Sequence, residues 1–168
     1  EDKDRHLIHY IFHKIEENRI NGQLKDPIFN PNAKSKLYDI EHWAPQDLTT
    51  HSNSQEDYAE YLDTYESIKD SNLLHNIGNL ASIHNTLNQE LSNKIPKVKQ
   101  KFLKDSQKSQ KYIINSYFKD FYIEESMWDA NDIKNRSRSL AKECYEKVFA
   151  IGEGYSFPKI SKQYLEKF

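Results

Sequence analysis

Four glycines and five prolines punctuate 168 residues, and that scarcity constrains the fold more than any other feature of the chain. An all-β sandwich needs a turn signal roughly every 8–12 residues, and too few turn-forming residues are present to supply them. The expectation is therefore a mainly helical protein with few strands. The apolar set is lean at 36%, yet it includes eleven Tyr, eight Phe and two Trp. Disordered chains are poor in aromatics, so the sequence describes a folded domain whose core is built on large rings. The length fits one domain, 1–168. Its start at Glu1 rather than Met reads as a fragment of a larger protein.

A formal net charge of −2, from 24 basic and 26 acidic residues, announces no global affinity for nucleic acid. Any such site has to be a local patch. A single cysteine, Cys144, excludes an internal disulfide framework and a cysteine-rich zinc cluster, and it fits a reducing, cytoplasmic setting. No apolar run is long enough to span a membrane, and the charged N-terminus is not a signal peptide.

Leu7, Ile8, Ile11, Phe12 and Ile15 recur at helical spacing and predict a helix over 1–20. Pro27, Pro31 and several Asn and Asp residues mark a loop over 21–36. Residues 37–43 alternate apolar and polar, as a short strand ending near His42 does, with Pro45 closing it. Tyr58, Tyr61, Leu62, Tyr65 and Ile68 predict an acidic helix over 55–69. A second β-type stretch is read over 73–83, broken by Gly78-Asn79. Helices are expected over 85–93, 95–104 and 109–121, with breaks near Pro96 and Asp105. A last helix runs from Asp129, a natural N-cap, to Ala150, and Gly152 stops it. Residues 94–150 form a helical part and 151–168 a loose tail.

Two segments hold oddly placed polar residues: Asp39-Ile40-Glu41-His42-Trp43-Ala44-Pro45-Gln46, and Ile77-Gly78-Asn79-Leu80 followed by Asn85, Asn88 and Asn93. Hydrolysing a phosphodiester needs a base to deprotonate water and a hard cation on the phosphate oxygens. His42 suits the base, because imidazole titrates near neutrality. Glu41 and Asn88 offer the oxygen ligands that Mg²⁺ or Mn²⁺ prefers, with waters completing the shell. The bland readings are a core histidine and two turn or cap asparagines. His75 and His84 lie close enough in sequence to stand in as ligands, whereas His6, His9, His13 and His51 read as surface residues.

Glu41-His42-Trp43-Ala44-Pro45-Gln46, Ile77-Gly78-Asn79-Leu80, and Leu87 to Asn93 with Lys99 and Ser106 together resemble the HNH-type nuclease domain at the C-terminus of GmrSD-type modification-dependent restriction enzymes. Trp128, Ile133, Arg136 and Leu140 fit the same pattern. The resemblance implies a ββα-metal core over 37–93, with 55–69 inserted, surrounded by helices and built around one divalent ion. It implies His42 as general base, Asn79 as the brace of the loop, and Asn88 with Glu41 as metal ligands. The first helix resembles one that joins this domain to an upstream nucleotide-hydrolysing domain. Two departures are Ala81-Ser82-Ile83, where Thr-Leu-Leu is more usual, and Pro96, where an aromatic is. Neither removes a catalytic group.

Lys94, Lys97, Lys99, Lys101 and Lys104 follow the proposed metal helix, and with Arg136 they form the expected DNA contact surface. The expected function is a metal-dependent DNA endonuclease domain, the effector of a bacterial defence system. The rivals are an inactive nucleic-acid-binding module and a helical protein-interaction domain.

Overall fold

The computed structural model describes residues 2–24, 27–29, 37–109, 114–123 and 126–149. Helix α1 (Asp2–Ile20) buries Phe12 and Ile15 and ends where Asn21 takes a left-handed φ of 51°, which Asn tolerates better than most residues. Strand β1 (Tyr38–His42) pairs antiparallel with β2 (Leu80–His84). The register sets Tyr38 opposite His84, Ile40 opposite Ser82 and His42 opposite Leu80.

The strands are not joined by a tight turn. Helix α2 (Gln55–Asp70) lies between them in the chain, capped by Ser54, whose side chain accepts from the Asp57 amide. It buries Tyr61, Tyr65 and Ile68. The Tyr61 hydroxyl donates to the Trp128 carbonyl at 3.0 Å and that of Tyr65 to the Gln46 carbonyl at 2.9 Å. The second strand begins at Leu80, later than its sequence suggests. Asn76 claims the Gly78 amide with its side chain and the Asn79 amide with its carbonyl, both at 2.8 Å. A 3₁₀ turn over Ile77–Asn79 thus uses donors that a ladder would need.

Helix α3 (Asn85–Leu91) follows β2 without a break, and α4 (Pro96–Ser109) comes next. The expected break near Pro96 is present, between the end of α3 at Leu91 and the start of α4, whereas the one near Asp105 is absent because α4 runs through it. Pro96 is the first residue of α4, where a missing N–H costs nothing. In place of a full helix to Phe121 there is a 3₁₀ segment, Ser116–Phe121. It is tied to α1 through Glu16, which accepts from the Ser116 amide at 2.9 Å and from its hydroxyl at 2.6 Å. Helix α5 (Ala130–Glu143) opens with a capping box between Asp129 and Asp132 and runs into a π turn over Cys144–Val148. The expected end at Ala150, the stop at Gly152 and the tail over 151–168 lie outside the described residues.

The core is aromatic. Trp43 stacks on Phe121 at 4.4 Å between ring centroids, and Phe121 meets Trp128 edge-on at 4.9 Å. Phe12 packs on Tyr117 at 4.9 Å. Burying each ring contributes roughly 1.5–3 kcal/mol. The fold is mainly α with a small β-hairpin, as expected. Among the described residues no helix is long and apolar enough to cross a membrane.

Candidate active site

The end of β1 is held by Asn79. The Trp43 amide donates to the Asn79 carbonyl at 2.9 Å, and the Ala44 amide to Asn79 Oδ1 at 2.8 Å. Asn79 Nδ2 donates back to the carbonyls of Ala44 at 3.0 Å and Leu74 at 2.8 Å. Trp128 Nε1 adds a fourth side-chain bond at 3.2 Å. Asn79 is fully buried, so this is a satisfied brace and not a reacting group.

The turn that carries Asn79 is fixed from behind by α5. A Cβ on Gly78 would lie 2.0 Å from the Ile133 carbonyl oxygen, so only glycine permits this approach. Arg136 reaches over the same turn and donates to the carbonyls of Leu80 at 2.7 Å, Gly78 at 2.9 Å and Ile77 at 3.3 Å. Its guanidinium lies 4.0 Å from the Phe121 ring centroid, and burial lowers its pKa to about 10, so it stays charged at neutral pH.

His42 closes the strand. Its Nε2 lies 3.0 Å from His75 Nδ1, with the rings nearly perpendicular. Burial first, then the neighbouring His75 and Lys99, lowers the His42 pKa to about 4. The imidazole is therefore neutral at physiological pH, as a proton acceptor must be. His42, Glu41 and Asn88 line one small cavity of about 130 Å³, with Ile40, Gln46, Ser92 and Asn93. Ser92 adopts a positive φ of 48° as α3 ends beside it.

Glu41 is buried and ion-paired with Lys99, Oε1 to Nζ 2.5 Å. Burial disfavours both charges, pushing the Glu41 carboxyl up and the Lys99 ammonium down against their mutual attraction. The Lys99 ammonium also donates to the carbonyls of His42 at 2.7 Å and Trp43 at 3.3 Å.

Sequence reasoning grouped Glu41, His42, Asn79 and Asn88, and the fold brings all four to one end of the hairpin. It put Lys99 and Arg136 on a DNA-facing surface, and both assignments need correction. Lys99 is 1% exposed and Arg136 5%. The Lys99 ammonium turns to the His42 and Trp43 carbonyls, and Arg136 turns Nη1 to the 77–80 carbonyls and Nε toward Asp120 at 3.4 Å. Lys97, Lys101 and Lys104 are exposed. Lys97 pairs with Glu60 at 3.0 Å, and Lys104 sits over the Tyr122 ring at 5.2 Å. Lys94 hooks onto the Glu90 carbonyl at the end of α3. His84 is no ligand for this site, because it caps α3 and lies four residues along the ladder from the His42 pair, roughly 13 Å away. His9, read as a surface residue, is 7% exposed and lies against Ser82 at 2.6 Å.

The partnerships that sequence reasoning missed are Lys99 with Glu41, Arg136 with the 77–80 carbonyls, and Trp128 with Asn79. Helical phase carries the signal for the first two. Lys99 falls on the stripe Ile95, Lys99, Leu103, Ser106, and Arg136 on Ile133, Arg136, Leu140, each stripe buried throughout.

Hairpin, following helix, His at the strand end and bracing Asn define a domain of the HNH type, set among helices. The chain belongs to the family described as the C-terminal domain of GmrSD restriction endonucleases, whose sequence model matches residues 1–143. No curated protein and no solved structure matches the chain.

Proposed function

We propose that this chain is a metal-dependent endonuclease domain that hydrolyses DNA phosphodiester bonds. The observation that carries the reading is one cavity lined by a neutral imidazole, a carboxylate and an amide: His42, Glu41 and Asn88. His42 accepts the proton of the attacking water, and Asn79 fixes the backbone on which that imidazole is mounted. Gln46 and Ser92 supply further polar groups at the cavity wall.

Among the described residues no three His, Cys, Asp or Glu side chains gather around a point, which disfavours a closed zinc site. One carboxylate and one amide oxygen beside space for water fit Mg²⁺ or Mn²⁺, ions that retain several waters. Glu41 and Asn88 would hold that ion, which when bound supplies positive charge to the phosphate and the leaving oxygen. The same reading assigns the domain to the effector part of a bacterial defence enzyme, working with an upstream nucleotide-hydrolysing domain.

The test is plasmid nicking with Mg²⁺ or Mn²⁺ and with EDTA. His42→Ala should slow cleavage by about 10²–10⁴-fold with the fold retained. Asn88→Ala should raise the metal concentration needed for half-maximal rate. Unaltered cleavage by His42→Ala, or cleavage indifferent to EDTA, overturns the proposal.

A further inference from the structure

The geometry points to Lys99 as a positioning residue that fixes the His42–Trp43–Ala44 backbone, an inference that rests on the nuclease reading of this site. The His42 carbonyl and the Trp43 amide belong to one peptide unit, and the Trp43 carbonyl and the Ala44 amide to the next. Lys99 Nζ takes the carbonyl of each unit, at 2.7 and 3.3 Å. Asn79 takes the amide of each, at 2.9 Å through its carbonyl and 2.8 Å through Oδ1. Two successive peptide planes are thus gripped at both ends by two residues from different elements, Lys99 through its side chain from α4 and Asn79 through its backbone and side chain from the turn before β2.

The same ammonium is ion-paired with Glu41 Oε1 at 2.5 Å, a buried carboxylate oxygen with no hydrogen-bond partner. One cation thereby sets the side chain before His42 and the peptides after it. A lysine 1% exposed, at a helix position otherwise apolar, sits in an unfavourable place for its charge. That cost is offset by three oxygens clustered at the strand end. A shorter or neutral side chain at this position leaves a buried carboxylate and two carbonyls without a donor. The His42 ring then loses the rigid backbone beneath it, and a displacement of about 1 Å costs a factor on the order of 100 in rate.

The experiment compares Lys99→Met with the unaltered chain by single-turnover cleavage, by DNA affinity against salt, and by amide hydrogen exchange. Positioning predicts cleavage slower on the order of 100-fold, an unchanged log-affinity against log-salt slope, and faster exchange at the Trp43 and Ala44 amides relative to the β1–β2 ladder. A slope lower by about 0.9 makes Lys99 a phosphate contact and overturns the inference. So does unchanged exchange, or fast exchange with undiminished cleavage. Should the unpaired Glu41 carboxylate unfold Lys99→Met, the double variant Glu41→Gln with Lys99→Met carries no buried charge there. Its exchange alone is read: faster at Trp43 and Ala44 supports the grip, unchanged defeats it. A wild-type chain that cuts nothing with either metal overturns the nuclease reading, whereas the exchange result judges the grip without reference to cleavage.

Discussion

Asn79 and Ala44 exchange two hydrogen bonds across the candidate site, Ala44 N–H to Oδ1 at 2.8 Å and Nδ2–H to the Ala44 carbonyl at 3.0 Å. A side chain thereby imitates a strand pair beyond the point where the ladder stops at His42 and Leu80. The pairing carries the order of the hairpin into the segment that presents the imidazole. With Leu74 and Trp128 as further partners, every donor of the Asn79 amide is used and its oxygen accepts twice.

Asn79→Ala should therefore destabilise the fold by about 3 kcal/mol or more, since several buried partners lose their bonds at once. Asn79→Asp should do no better, because it sets a carboxylate oxygen against the Ala44 and Leu74 carbonyls. Urea unfolding of the two variants checks both statements. A loss below about 1 kcal/mol for Asn79→Ala means that water replaces the brace.

Gly78→Ala tests the contact behind that brace. A methyl group 2.0 Å from the Ile133 carbonyl forces α5 away from the turn, and overpacking of this kind typically costs about 1–3 kcal/mol. Arg136 spans the same gap, so its three carbonyl bonds should weaken together with the packing. The expected result is a lower thermal midpoint and faster exchange at the Asn79 amide.

Glu143 gives a pH dependence with a definite sign. Its carboxylate receives Arg19 Nη2 at 2.7 Å and Nε at 3.0 Å, and Arg19 also holds Asp120 at 2.8 Å. The Arg19 hydrogen bond is the chief cause that holds the Glu143 carboxyl below its ordinary value. A carboxyl lowered on folding stabilises the protein above its unfolded pKa, and the benefit disappears as pH falls through the folded value. Glu143→Gln should thus cost roughly 1 kcal/mol at pH 7 and progressively less in acid below the ordinary carboxyl range. Denaturation curves at a series of pH values would show it, and a constant difference at all pH values would refute it.

Element types were largely legible, because each long helix writes its buried face at a period near 3.6. What the period did not distinguish was a core position filled by a charge. Lys99 and Arg136 occupy the buried stripes of α4 and α5, but a cation after a proposed metal helix reads more readily as a phosphate contact. Trp128 was out of reach for another reason. It holds a φ of 61°, unusual for a bulky residue, and its indole meets Asn79 only because Tyr61 and Ser126 fix its backbone. That placement comes from tertiary packing, which no local pattern encodes. The group Glu41, His42, Asn79, Asn88 was legible because its spacing is local within each of two segments, and the hairpin needs only to align them.

The surface of α4 supplies the last prediction. With Lys99 and Arg136 buried, the exposed cations of α4 among the described residues are Lys97, Lys101 and Lys104. Each phosphate contact releases counterions, so each removal should flatten the log-affinity against log-salt slope by about 0.9 on duplex DNA. The three should not contribute equally to affinity. Lys97 gives up Glu60 and Lys104 gives up the Tyr122 ring on turning to a phosphate, whereas Lys101 is exposed with no such pairing described. Lys101→Gln is therefore expected to weaken binding most, and Glu60→Gln to strengthen it by freeing Lys97. Phosphate contacts position a protein without reading sequence, so the losses should be the same on duplexes of different sequence. Fluorescence anisotropy at several salt concentrations measures all four variants. Equal slopes for wild type and Lys101→Gln would remove this face of α4 from DNA binding, and a sequence-dependent loss would show that it contacts bases.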